Sequence, residues 1–259
     1  MAKVTGRQRS VVLGLDKAIY WAGRHWLVVV ALLLGVYVGL PILAPVLMNA
    51  GAAGPADFIY RLYSPMCHQM ASRSFFLFGE QYAYPRELAG TDLTPIDAYW
   101  ESRPALQGVP RYPETAGGLA QQLAALRAER GDAQLGFKMA LCERDIAIYG
   151  FMLLGTLLYA LVRRFRRPPR LPFWLFLIVG LAPIALDGFS QLFGTYGQAL
   201  DIAFFQQEIF NRESTPFLRA ATGALFGFSL VWTFFPYVDR SMGEFNSELG
   251  EKLTRAESS

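Results

Sequence analysis

The chain has 259 residues, of which 53% are hydrophobic and 14% aromatic, and its mean hydropathy of +0.25 is high for a soluble domain of ordinary composition. A net charge of only +3 excludes a general nucleic-acid footprint. Two cysteines exclude a disulfide-rich scaffold and leave three states open: one bridge, one shared metal, or two free thiols.

The chain opens with a basic segment, 1–25, carrying Lys3, Arg7, Arg9, Lys17 and Arg24 against Asp16 alone. An uncharged apolar run follows at 26–48, long enough to cross a bilayer, which needs about 20 residues. It is too long for the apolar core of a signal peptide, so it reads as a retained anchor. Further spans are expected at 146–162, 172–193 and 217–238, with a polar tail at 239–259. The connection 163–171 holds five arginines and no acid. Basic connections stay in the cytoplasm, and four spans place both termini on one side. The expected fold is therefore an all-α integral membrane protein: a four-helix transmembrane bundle in the cell membrane, N-in and C-in, with a helical extracytoplasmic insertion at 49–145. A second extracytoplasmic loop is expected at 194–216.

Within the insertion, "SPMCHQMASRSFF" carries a helix-start signal, with Ser64 as cap and Pro65 at the first position. Prolines 85, 95, 104, 110 and 113 predict an irregular middle. A helix is expected from about 115 to 130, with Leu119, Leu123 and Leu126 on one face.

The groups that could carry chemistry fall at one membrane level. Cys67, His68, Gln69 and Arg73 lie in the first stretch, and Cys142, Arg144 and Asp145 precede the second span. Cys142 and Asp145, three apart, share a helix face and can act on one partner. Asp187 and Gln191 are four apart in the third span. Asp187 lies about 21 Å from the cytoplasmic start at 1.5 Å per residue. An acid at that depth needs a partner, and Arg219, near the outer end of the fourth span, is the expected one. Arg212 and Glu213 belong to the loop before it.

Cys67, His68, Cys142 and Asp145 form a four-ligand set for zinc or another transition metal, although adjacent Cys67 and His68 can both contribute only from irregular backbone. A Cys67–Cys142 disulfide fits the same residues in an oxidising compartment. His68 and Asp187 are the catalytic candidates, histidine being the side chain whose charge changes near neutrality. Gln69, Arg73, Arg144, Gln191, Arg212 and Arg219 would bind an anionic or polar ligand. Gly35/Gly39 and Gly223/Gly227 are small-residue faces for close helix packing, within the chain or with a homo-oligomer or membrane-complex partner.

Four blocks, "CHQMASRSFF", "LCERDIAIYGF", "APIALDGFSQLFG" and "RESTPFLRAATGALFGF", together resemble the domain of unknown function 2085 family of predicted bacterial and archaeal membrane proteins. The resemblance points to Cys67, His68, Gln69, Arg73 and Ser74; to Cys142, Arg144, Ile148 and Tyr149; to Asp187, Gly188 and Gln191; and to Arg219, Thr222 and Gly223. It implies a further cysteine where this chain has Asp145, and a shorter connection between the first two blocks. It brings no activity with it.

P-loop, G-x-S-x-G, H-E-x-x-H and paired C-x-x-C motifs are absent. Three functions fit. The first is a polar, metal-binding site at the outer membrane face that binds or acts on a lipid or lipid-linked ligand. The second is a non-catalytic accessory subunit with a structural disulfide. The third is a metal or small-solute transporter, which the apolar inner half disfavours. Whether the chain is an enzyme is left open.

Overall fold

The computed structural model describes residues 6–199 and 213–257. Among them, four helical stretches are long and apolar enough to cross a membrane. They are α2 (Trp26–Asn49), α5 (Glu143–Phe165), a run built from α6 (Phe173–Leu175), a π-helical turn (Phe176–Leu181) and α7 (Ala182–Ala199), and α8 (Pro216–Glu257). Large apolar side chains on all four face outward, among them Leu33, Leu157, Leu186 and Phe217. Apolar exposure on this scale suits hydrocarbon rather than water.

The helices meet through small residues. A Cβ at Gly227 would stand 2.1 Å from the carbonyl oxygen of Ile148, and one at Gly223 2.7 Å from that of Arg144. Only glycine allows α5 and α8 to approach this closely. The Gly223/Gly227 face thus serves packing within the chain, the first of its two expected uses. Gly35 and Gly39, by contrast, have nothing near them.

Three prolines inside helices each leave a backbone carbonyl without its usual donor, four residues earlier. In each case another segment supplies the donor. Pro41 frees the carbonyl of Tyr37, which accepts from the Tyr63 hydroxyl at 2.8 Å. Pro45 frees that of Pro41, which accepts from the Ala140 N–H at 3.2 Å. Pro236 frees that of Trp232, which accepts from the Leu171 N–H at 3.1 Å. These prolines thus mark where other segments dock on the helices.

Residues 50–142 form a head at one end of the bundle. It contains α3 (Ala53–Tyr63), α4 (Ala116–Ala128) and a small antiparallel sheet, β1 (Phe76–Leu77), β2 (Gly131–Asp132) and β3 (Gly136–Lys138), in the order β1-β3-β2. The insertion expected to be helical thus also holds three short strands. Gly131 and Gly136, both at positive φ, let the three short strands close on one another. The Pro-rich stretch is irregular, as expected. It packs Tyr84, Ile96, Trp100 and Leu106 into one core with Leu126 of α4. The expected helix at 115–130 is α4, capped by the Thr115 hydroxyl, which accepts the Gly118 N–H at 3.1 Å.

At the opposite end, α1 (Gly6–Arg24) packs on the last turns of α8. At about 1.5 Å per residue, 42 residues make α8 about 63 Å long, twice the hydrocarbon thickness. The polar tail is therefore a continuation of the span.

Candidate functional site

The site lies where the head meets the bundle, and its first wall is the turn at Cys67–Gln69. The helix expected to begin at Ser64 is instead the end of α3. The Ser64 N–H bonds the Arg61 carbonyl, and those of Met66 and Cys67 bond that of Tyr63. The chain then reverses at Gln69, whose φ is +52°. A non-glycine residue there is held by its surroundings. The Gln69 side-chain amide donates to the carbonyls of Tyr60 and Ala140, both at 2.9 Å. This reversal buries Cys67 and leaves His68 exposed.

Lys138 holds the same turn from the other side. It is fully buried on β3, and its ammonium donates to the carbonyls of Gln69 at 2.6 Å, Arg127 at 2.7 Å and Leu126 at 3.4 Å. Burial pulls its pKa down to about 7, with Arg130 adding to the effect and Glu129 opposing it. One lysine in a run of mixed residues gives no sequence signal of this role. Because the unfolded chain binds the proton more tightly, stability should rise with pH between about 7 and the ordinary lysine value of 10.5 and be flat in this respect below 7. The check is chemical unfolding in detergent from pH 6 to 10. The stability difference between wild type and Lys138→Met should grow with pH, and a difference that shrinks would contradict the assignment.

The second wall is the start of α5. Cys142 is the N-cap and Asp145 lies in the first turn, so the two face one point. The ligand atoms of Cys67, Cys142 and Asp145 all lie within 4.8 Å of one another. The Cys67 sulfur also accepts the N–H groups of Gln69 at 3.4 Å and Cys142 at 3.3 Å. The Cys142 thiol donates to Cys67 and lowers its pKa against the opposing effect of burial, while Cys142 is correspondingly raised. Both cysteines are free thiols. His68 is outside this three-ligand group.

A cavity of about 260 Å³ opens beside the thiols, lined by Cys67, His68, Gln69, Arg73, Cys142, Arg144, Asp145, Gln191 and Arg219 among others. A second, of about 200 Å³, shares His68, Arg73, Arg144 and Gln191 with it and reaches Leu123 of α4 and Gly188 of α7. The structure therefore gathers ten of the eleven expected site residues around one place: nine line the first cavity, and Asp187 bonds two of them. Arg212 lies outside the described residues.

The ion pairs differ from expectation. Arg219, 2% exposed, does not bond Asp187. Its guanidinium donates to Glu143 at 3.1 Å, Glu213 at 2.9 Å, Gln191 Oε1 at 3.4 Å and the Ser72 carbonyl at 3.3 Å. Asp187 instead accepts from Arg144, and from the Gln191 amide at 3.3 Å. The reason is local. Glu143, wholly buried in the first turn of α5, stands nearer the α8 arginine than Asp187 does, and the fourth span was paired without it. Glu143 and Arg144 both turn inward, which the spacing did not show. Glu213 also accepts from Arg73 at 2.9 Å. Burial opposes its ionisation, but Arg73 and Arg219 together hold its pKa below the usual carboxylate range. Each arginine on the cavity wall thus already faces a carboxylate: Arg73 faces Glu213, Arg144 faces Asp187, and Arg219 faces Glu143 and Glu213.

These features can be set beside known proteins. Residues 127–233 match the family described as predicted membrane protein, domain of unknown function 2085 (DUF2085). That range runs from the end of α4 into α8. It contains Cys142, Arg144, Asp145, Asp187, Gln191 and Arg219, whereas Cys67 and His68 precede it. An uncharacterised protein of Methanocaldococcus jannaschii is 26% identical over 181 residues, covering 69% of this chain and 67% of the relative. No solved structure matches the chain. The resemblance to this family is borne out over residues 127–233, and the four long apolar helical stretches agree with the family's description as a predicted membrane protein.

Proposed function

We propose that this protein binds a zinc-class metal ion through Cys67, Cys142 and Asp145 and holds the anionic group of a lipid or lipid-linked ligand beside it. The observation that carries the reading is the convergence of three ligand atoms within 4.8 Å, next to a cavity walled by Arg73, Arg144 and Arg219. Two Zn–S bonds of about 2.3 Å at a tetrahedral angle separate their sulfurs by about 3.8 Å. Backbone N–H groups aimed at Cys67 favour its thiolate form, which is the form that binds metal. Three protein ligands leave a fourth position for a water or a ligand, as in open zinc sites. Exposed His68 lines the same cavity and would be the group to exchange a proton there. Arginine forks suit phosphate oxygens in bidentate pairs.

The charge pattern supports an N-in, C-in arrangement in the cell membrane, with the head and its site extracytoplasmic. The five-arginine connection and α1, which ends in Arg24, lie at the end of the bundle opposite the head. In an oxidising compartment the same two thiols could instead be joined in a structural disulfide, the accessory-subunit reading.

The experiment is elemental analysis of the purified protein together with a thiol count under non-reducing conditions. The expected result is one metal per chain and two thiols that become titratable on chelation. No metal and no free thiol would overturn the proposal in favour of the disulfide.

A further inference from the structure

The opposite end of the bundle holds a second built site, separate from the cysteine cluster. An apolar groove of about 650 Å³ runs between α5, the π-helical turn and α8, walled by Phe151, Leu154, Val179, Leu225 and Phe228. Several of these side chains are exposed, so the groove opens sideways from the bundle. Next to it lies a cavity of about 520 Å³ lined by Arg167, Arg170 and Arg240 with Tyr159 and Asp239. Arg170 lines both spaces. Along the connection, Pro168 faces the basic cavity while Pro169 and Leu171 face the groove.

The connection is held in place. The Leu171 N–H is tied to the carbonyl that Pro236 frees on α8, and the Arg170 guanidinium stacks over the Tyr237 ring at 5.0 Å. The acid in the cavity is already engaged: Asp239 accepts from Arg163 at 2.9 Å and from the Trp26 indole at 3.3 Å. Neither Arg167 nor Arg170 has a carboxylate partner among the described residues. Trp232, on the groove wall, has its indole N–H unpartnered. The site therefore offers two guanidinium groups without a carboxylate partner among the described residues and one apolar slot beside them. That is the outline of an amphiphile with an anionic head.

We propose that this end of the bundle binds one anionic phospholipid specifically, its phosphate held by Arg167 and Arg170 and one acyl chain in the groove. Charge complementarity selects the anionic head, since basic pockets between membrane helices attract such lipids at about 1 kcal/mol per arginine. The continuity of groove and cavity through Arg170 selects a lipid over a free anion.

The test is native mass spectrometry of the detergent-purified full chain, titrated with phosphatidylglycerol, with phosphatidylcholine of identical chains, and with inorganic phosphate. Wild type should retain one phosphatidylglycerol in preference to phosphatidylcholine, and inorganic phosphate should not displace it. The Arg167→Gln/Arg170→Gln variant should lose about thirtyfold in phosphatidylglycerol affinity and keep its weak phosphatidylcholine binding. A groove-narrowing Ala224→Leu variant should weaken both lipids and leave the preference between them intact. Equal retention of the two lipids by wild type, displacement by inorganic phosphate, or unchanged preference in the double arginine variant would each overturn the proposal. Metal content in the same samples reports on the cysteine site independently.

Discussion

Arg219→Met should destabilise the protein by about 3–5 kcal/mol, the range for breaking a buried ion pair by removing one partner. The substitution leaves Glu143, with no exposed side chain, and Glu213, 11% exposed, facing one fewer cation. It also removes the donor to the Ser72 carbonyl, which lies in the turn between Cys67 and β1. The double variant Arg219→Met/Glu143→Gln should recover much of the loss, because the orphaned carboxylate is then gone. Denaturant unfolding in detergent measures both. A single variant within about 0.5 kcal/mol of wild type, the usual range of surface substitutions, would mean that the pair is not desolvated as described.

The second large effect concerns the proposed metal site. Cys67→Ser and Cys142→Ser should each weaken metal binding by more than about 100-fold. That is the upper end of what outer-shell changes cost, and these remove a ligand itself. Asp145→Asn should weaken it less, since an amide oxygen remains. Asp145→Cys places a third thiolate where the resemblance implies a cysteine, and should tighten zinc binding. His68→Ala should leave the stoichiometry unchanged, because His68 is outside the three-ligand group. Cobalt substitution, read by its thiolate charge-transfer absorption, follows all five variants. Full cobalt binding in both serine variants would sink the ligand assignment.

The two predictions rest on neighbouring residues, Cys142 and Glu143, that α5 turns to different tasks. Cys142 faces the head and the Cys67 turn, whereas Glu143 faces α8. Their adjacency in the chain said nothing of this division. The four blocks did mark which residues would gather, because each carries polar groups into an otherwise apolar stretch, and such groups need partners. Which partners they take was not legible. The Asp187–Arg219 pairing followed from both lying near the ends of successive spans. It failed because α5 brings Glu143 to Arg219 and Arg144 to Asp187.

The spans were readable because crossing a bilayer is a local demand: about 20 apolar residues with internally bonded backbone, whatever else the chain does. The charge asymmetry, likewise, is a property of the connections alone. The turn at Cys67–Gln69 is different. Ser64-Pro65 carries a valid helix-start signal, and only Tyr60, Ala140 and Lys138, the last two 71 and 69 residues beyond Gln69, hold the backbone at positive φ instead. The prolines of α2 and α8 show the same division. Sequence determines that each frees a carbonyl, since proline has no N–H; only the tertiary structure decides which N–H or hydroxyl arrives to use it. So composition and patterning determined a four-span membrane protein with its polar residues gathered into blocks. The meeting of Cys67, Cys142 and Asp145, and the choice of Glu143 and Glu213 for Arg219, were decided by contacts that close only when head and bundle pack.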